Sequence, residues 1–169
     1  MNFPAYTTTE LEDWVSHWYK KRRFLYPVDL NIKKIAMEYE IFIHYKPLKT
    51  VYARFGGYKE IVINSSLNYI DQREQFFHEL CHAVRHVGKQ TMMTAAFREL
   101  QERDAKHYTL YAALPHHMVK NYNLNDPEII ERWSNDFKIS QGLCEERLKQ
   151  IKRRAISTKQ HSKGNLRCI

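Results

Sequence analysis

The chain has 169 residues, 43% of them hydrophobic and 27% charged, which fits one packed domain and excludes a fibrous or wholly disordered chain. No apolar run approaches the roughly eighteen residues of a membrane span, and the start of the chain lacks a basic-then-apolar leader, so a cytoplasmic protein with no membrane partner is expected. The formal charge of +8 is concentrated: Lys149 to Ile169 holds seven Lys or Arg and no acid, so this end reads as a solvated basic tail, and direct nucleic-acid binding is not expected.

Thr9 and Glu12 form a capping box ahead of Leu11, Trp14, Val15, Trp18 and Leu25, which recur at helical spacing. Pro27 interrupts, Asp29 is the expected cap of a second helix, and Leu30, Ile32, Ile35, Ala36 and Tyr39 form its buried stripe. Three short strands follow at Ile41 to Tyr45, Val51 to Phe55 and Tyr58 to Ile63, the last two joined by a Gly56-Gly57 turn, in one antiparallel or mixed sheet.

Asp71 and Glu74 suggest the start of a helix with Phe77, Leu80, Cys81, Val84 and Val87 on one face, closed by Gly88. A further helix is expected over Thr94 to Leu114, with Phe97, Leu100, Ala105, Tyr108 and Ala112 inward and Pro115 as its limit. Asp126-Pro127 and Ser140 mark the starts of two short final helices, and Ser157 to Asn165 reads as unstructured. Cys81, Cys144 and Cys168 form neither an even set nor a C-x-x-C pair and read as reduced thiols.

His78-Glu79-Leu80-Cys81-His82 fits H-E-x-x-H inside a predicted helix, the context in which two imidazoles four residues apart reach one ion from one face. This chain's own His and Glu frequencies predict about 0.04 chance occurrences, so coincidence is disfavoured against two merely hydrogen-bonded histidines. Catalytic zinc takes three protein ligands and keeps a position for water, so a third donor is required. Glu99, Glu102 and Asp104 on the next helix are all candidates, and spacing alone does not choose. Glu102 shares a face with the small residues Ala105, Thr109 and Ala112, which allow close helix approach. Glu79 is the candidate catalytic base for a metal-bound water and then the acid for the leaving amine. Cys81 points about 100° from His82 on a helix and is read as core, not ligand. His86 could pair with His82 but lacks the motif's Glu, and His107, His116 and His117 read as surface or supporting residues.

The stretch Ile61-Val62-Ile63-Asn64 through Gln72-Arg73 and Phe76 into the motif resembles the ImmA/IrrE family of metallo-endopeptidases, as does Glu102-Arg103-Asp104-Ala105 through Tyr108 to Leu114-Pro115. Similarity extends over about residues 25 to 150, with Cys81 in place of a usual Gly and Lys106 where Asp or Asn is common. The resemblance implies Glu102 as the third metal ligand with His78 and His82, one Zn2+ (or another divalent ion such as Mn2+), and an α+β, zincin-like metallopeptidase fold. In that fold a small three-stranded sheet packs against an active-site helix pair, with C-terminal helices beyond it.

It also implies a helix-turn-helix transcriptional repressor as the protein substrate, in phage or mobile-element regulation. The expected organisation is a single metallopeptidase domain over 1–150 (N-terminal helix 1–26, catalytic core 27–115, C-terminal helical part 116–150) and a basic, flexible tail over 151–169. The competing reading is a regulator that sequesters a repressor without cutting it, using Phe137 to Ile151 as a docking module and the metal as a structural element.

Overall fold

The computed structural model describes residues 6–86 and 94–164, the last six by backbone alone. Helix α1 (Glu10–Lys21) begins at the Thr9/Glu12 capping box, in which each residue's side chain accepts from the other's backbone N–H. Val15 and Tyr19 are buried, whereas Trp14 and Leu25 are exposed; the helix ends before Leu25, so helical spacing does not extend to it. Helix α2 (Ile32–Glu38) is capped by Asn31 instead of Asp29. Asp29 closes a 3-10 turn over Pro27–Asp29 and accepts from the N–H groups of Leu25 and Tyr26.

Strands β1 (Phe42–Lys46), β2 (Val51–Phe55) and β3 (Tyr58–Asn64) form a mixed sheet in the order β1-β3-β2. The β2–β3 hairpin turns at Gly56, whose φ of +60° is costly for a residue with a side chain. β1 then pairs parallel to β3 on its other side, with Ile43 opposite Ile61. β2 is therefore an edge strand, and its neighbour β3 is the most buried, with Ile61 and Ile63 fully enclosed.

Helix α3 (Tyr69–Arg85) packs on β3 and β2. Its cap is Asn68, whose side chain accepts from the Asp71 N–H; Asp71 itself accepts from the Asn68 amide, and Glu74 reaches away to accept from Ser140 N. Phe76, Phe77, Leu80 and Cys81 are fully buried, which fixes the opposite side of α3, with His78 and Glu79, toward the surface. Val87 and Gly88 lie outside the described residues. Arg73 is also buried, donating to the Phe137 carbonyl at 2.9 Å with its guanidinium over the Phe77 ring.

Helix α4 (Ala95–Ala113) lies along α3, with Ala105, Tyr108 and Ala112 buried between neighbours. Phe97 and Leu100, expected inward, are exposed. Tyr19 of α1 donates to the Ala112 carbonyl at 3.0 Å, tying α1 to the end of α4. A short helix α5 (His116–Val119) follows Pro115.

Helix α6 (Ile129–Phe137) starts later than Asp126-Pro127 implies; Asp126 accepts from Glu128 N and pairs with Arg132. Ser140 does cap α7 (Gln141–Gly164), accepting from Leu143 N. α7 is not short: it continues through residues 157–164, expected to be unstructured, and crosses the expected boundary at 150. Ile151 and Ala155 are buried, so the apolar stripe persists where composition suggests only charge. Phe137, Ile139, Arg147 and Ile151 face the interior, whereas Lys138, Gln141, Glu145, Glu146 and Lys149 of the same segment are exposed. The architecture is α+β, and no helix among the described residues is long and apolar enough to cross a membrane.

Candidate metal centre

His78 and His82 sit one turn apart on α3, and Glu102 faces them from α4. Nε2 of His78 is 3.1 Å from Oε2 of Glu102, Nε2 of His82 is 3.3 Å from Oε1, and the two Nε2 atoms are 3.3 Å apart. Ala105 and Ala112, fully buried, and Thr109 leave no bulk between the helices, and this closeness brings a carboxylate of α4 to imidazoles of α3. Of the three acids that spacing leaves open, Glu99 is exposed and Asp104 turns to Arg85 and His86; Glu102 alone joins the histidines.

Burial, and for His82 the neighbouring His78, pushes both imidazole pKa values down, His82 to about 4. At neutral pH both rings are uncharged and offer lone pairs, the form in which histidine binds metals. Two imidazole nitrogens and a carboxylate oxygen are a donor set suited to one divalent cation. The cation would offset the crowding of two imidazole nitrogens and a carboxylate whose contacts are 3.1–3.3 Å.

Glu79, next along α3, points to the sheet, where its Oε2 accepts from the Tyr52 N–H of β2 at 2.8 Å. Burial pushes its pKa up to about 7 against the lowering effect of that N–H. The four residues open on a cleft of about 340 Å³ that is also lined by Lys49, Thr50, Val51 and Gln75. One wall is thus the edge strand and the other the two helices.

Cys81 is buried away from the cleft, its thiol 3.7 Å from Oδ2 of Asp104, and burial raises its pKa strongly. With His86 and Asp104 it forms a second group of donor types, in which Arg85 already occupies the carboxylate at 2.8 Å. His117 is buried and contacts the Phe24 carbonyl at 3.0 Å, and His107 is exposed; neither approaches the cleft.

The sequence reading missed the Tyr52 anchor, a backbone contact that no residue type announces. His86 also contacts His82. Its position four residues after His82 was a usable signal, since its Nδ1 lies 2.8 Å from Nδ1 of His82.

The profile of the Peptidase_M78 family, the IrrE N-terminal-like domain, matches residues 36–149, which include both helices and all three strands of the site. The chain belongs to the Peptidase_M78 family. Two relatives from Bacillus subtilis (strain 168) accompany this match. The chain is 30% identical over 145 residues to the uncharacterized protein YqaB, covering 85% of this chain and 84% of YqaB. It is 27% identical over 148 residues to the phage-like element PBSX protein XkdA, covering 86% of this chain and 75% of XkdA. No solved structure matches it. Membership in Peptidase_M78 makes this a metallopeptidase-like domain of a type found in phage-associated proteins.

Proposed function

We propose that this chain is a zinc-dependent endopeptidase of zincin type that cleaves a helix-turn-helix transcriptional repressor in phage or mobile-element regulation. The observation that supports the reading best is the convergence of His78, His82 and Glu102 beside Glu79 in a cleft bordered by an edge strand.

His78, His82 and Glu102 would hold the ion, Zn2+ or another divalent metal such as Mn2+. When bound, such an ion acts as a Lewis acid that polarises a carbonyl and lowers the pKa of water to about 7. Glu79 takes the proton from the attacking water and returns it to the leaving amine. The Tyr52 N–H holds that carboxylate at the mouth of the cleft, and burial keeps its affinity for a proton near the level that both transfers need. β2, which no strand among the described residues pairs on its cleft side, can align an extended peptide through its backbone, the recognition mode in which a peptide adds a strand to a sheet. A protein substrate therefore suits the site better than a small molecule. The repressor as substrate rests on the family resemblance and on the phage-like element to which XkdA belongs.

Incubating the purified chain and zinc with the repressor encoded beside it, and reading intact masses, tests the proposal. New fragments whose masses sum to the repressor plus one water are expected with zinc, and none after chelation. An intact repressor under metal-replete conditions would reject proteolysis.

A further inference from the structure

A line of polar contacts runs outward from His82, away from the cleft. Its Nδ1 lies 2.8 Å from Nδ1 of His86, and Nε2 of His86 lies 3.0 Å from Oδ2 of Asp104. Arg85 donates to that carboxylate through Nε at 2.8 Å and Nη2 at 3.2 Å, so the outer end is fixed in place. His86 is the first residue beyond α3; its backbone is extended, φ −105° and ψ 130°, and its ring lies tilted beside that of His82, 4.9 Å between centroids.

The hydrogen positions follow from the heavy atoms. A neutral imidazole has one N–H and one lone pair, so of two Nδ1 atoms 2.8 Å apart one donates and the other accepts. If His86 donated, its Nε2 lone pair would face the Asp104 carboxylate at 3.0 Å, two acceptors in contact. If His82 donates, His86 turns an N–H toward the carboxylate, and both contacts of the His86 ring are complementary. Arg85 already donates to both oxygens of Asp104, so the carboxylate meets His86 as an acceptor. The favoured arrangement strips Nε2 of His82 of its proton. That nitrogen is the one 3.3 Å from both His78 Nε2 and Glu102 Oε1.

We infer that His86 and Asp104 are positioning residues that lock His82 in its Nδ1–H tautomer and aim its bare Nε2 at the cation site. The inference rests on the metal-centre reading above, and adds residues that never touch the cleft contents. A metal-ligating histidine ordinarily passes its second N–H straight to a carboxylate or carbonyl; here a second imidazole carries that contact one residue further.

Imidazole 15N–1H correlation spectra of the metal-free chain, with zinc dissociation constants from chelator competition, test it in wild type, His86→Phe, His86→Gln and Asp104→Asn. Wild-type His82 should show a protonated Nδ1 and a bare Nε2. His86→Phe keeps a ring but no nitrogen; it should mix the two tautomers and weaken zinc about 10- to 100-fold. His86→Gln, whose carboxamide can accept from His82 and donate to Asp104, should recover most of that loss, which a purely packing role would not predict. Asp104→Asn covers the case in which His86→Phe fails to fold and should likewise mix the tautomers. A wild-type His82 protonated on Nε2, or a folded His86→Phe with wild-type zinc affinity, would overturn the inference. Failure of the wild type to bind zinc would instead reject the metal-centre reading, and the metal-free spectra would still decide the tautomer.

Discussion

Replacing Glu79 with glutamine should slow peptide hydrolysis by about 100- to 10,000-fold, the usual share of a positioned proton-transfer group, with zinc affinity and unfolding midpoint unchanged. Glutamine has nearly the same shape, and its carbonyl oxygen can still accept from Tyr52 N, so the anchor survives and only the capacity to carry a proton is lost. Glu79 also makes none of the contacts among His78, His82 and Glu102. Single-turnover cleavage and zinc titration on one preparation separate the effects. A variant that still cuts at the wild-type rate would remove Glu79 from the mechanism, and one that loses zinc would make it a ligand.

The second large effect lies far from the cleft. Glu12 of α1 is buried, with Arg147 of α7 at 2.7 Å, close in distance though not aligned as a hydrogen bond. Arg154 also reaches the Glu12 carboxylate, Tyr6 donates to it at 2.9 Å, and Arg147 donates to Gln150 at 2.6 Å. Glu12→Ala leaves a fully buried guanidinium without its counter-charge, and a loss of about 3–5 kcal/mol is expected in urea unfolding. That is a large part of the ~5–15 kcal/mol that holds a typical domain together. Glu12→Leu with Arg147→Met, which removes both charges, should recover much of it, because the cost lies in the orphaned charge.

The same carboxylate gives stability a pH dependence. Burial raises its pKa, but Arg147 and the Thr9 N–H outweigh burial, and the folded-state value falls below the unfolded one. A depressed carboxylate contributes fully above its unfolded pKa and loses that contribution as pH falls through the folded value. Wild-type stability should therefore drop on acidification below about pH 4.5 by an increment that Glu12→Ala lacks. Equal acid sensitivity of the two proteins would contradict this assignment.

Both effects show what residue pattern can convey. The His78/His82 pair was legible because a four-residue interval on a helix is itself a geometric statement. Glu102 was narrowed by its small neighbours, yet the choice over Glu99 and Asp104 depends on how α4 lies against α3, a tertiary fact. Strand positions followed from β-branched runs and the Gly56 turn, but the parallel pairing of β1 with β3 is long-range and no local signal encodes it. Asn31 and Asn68, not Asp29 and Asp71, cap α2 and α3, since neighbouring acids and amides compete for the same N–H groups and only backbone geometry decides. The length of α7 was hidden by composition: Arg154, counted as part of the solvated tail, reaches Glu12 beside Arg147 and helps hold that helix in the fold.

Zinc-edge X-ray absorption on the loaded chain bears most directly on the claim that His78, His82 and Glu102 share one cation. The account predicts two imidazole nitrogens at about 2.0–2.1 Å with oxygen donors completing the shell and no sulfur. A sulfur shell at about 2.3 Å would place the ion at Cys81, and a spectrum without imidazole scattering would contradict the site altogether.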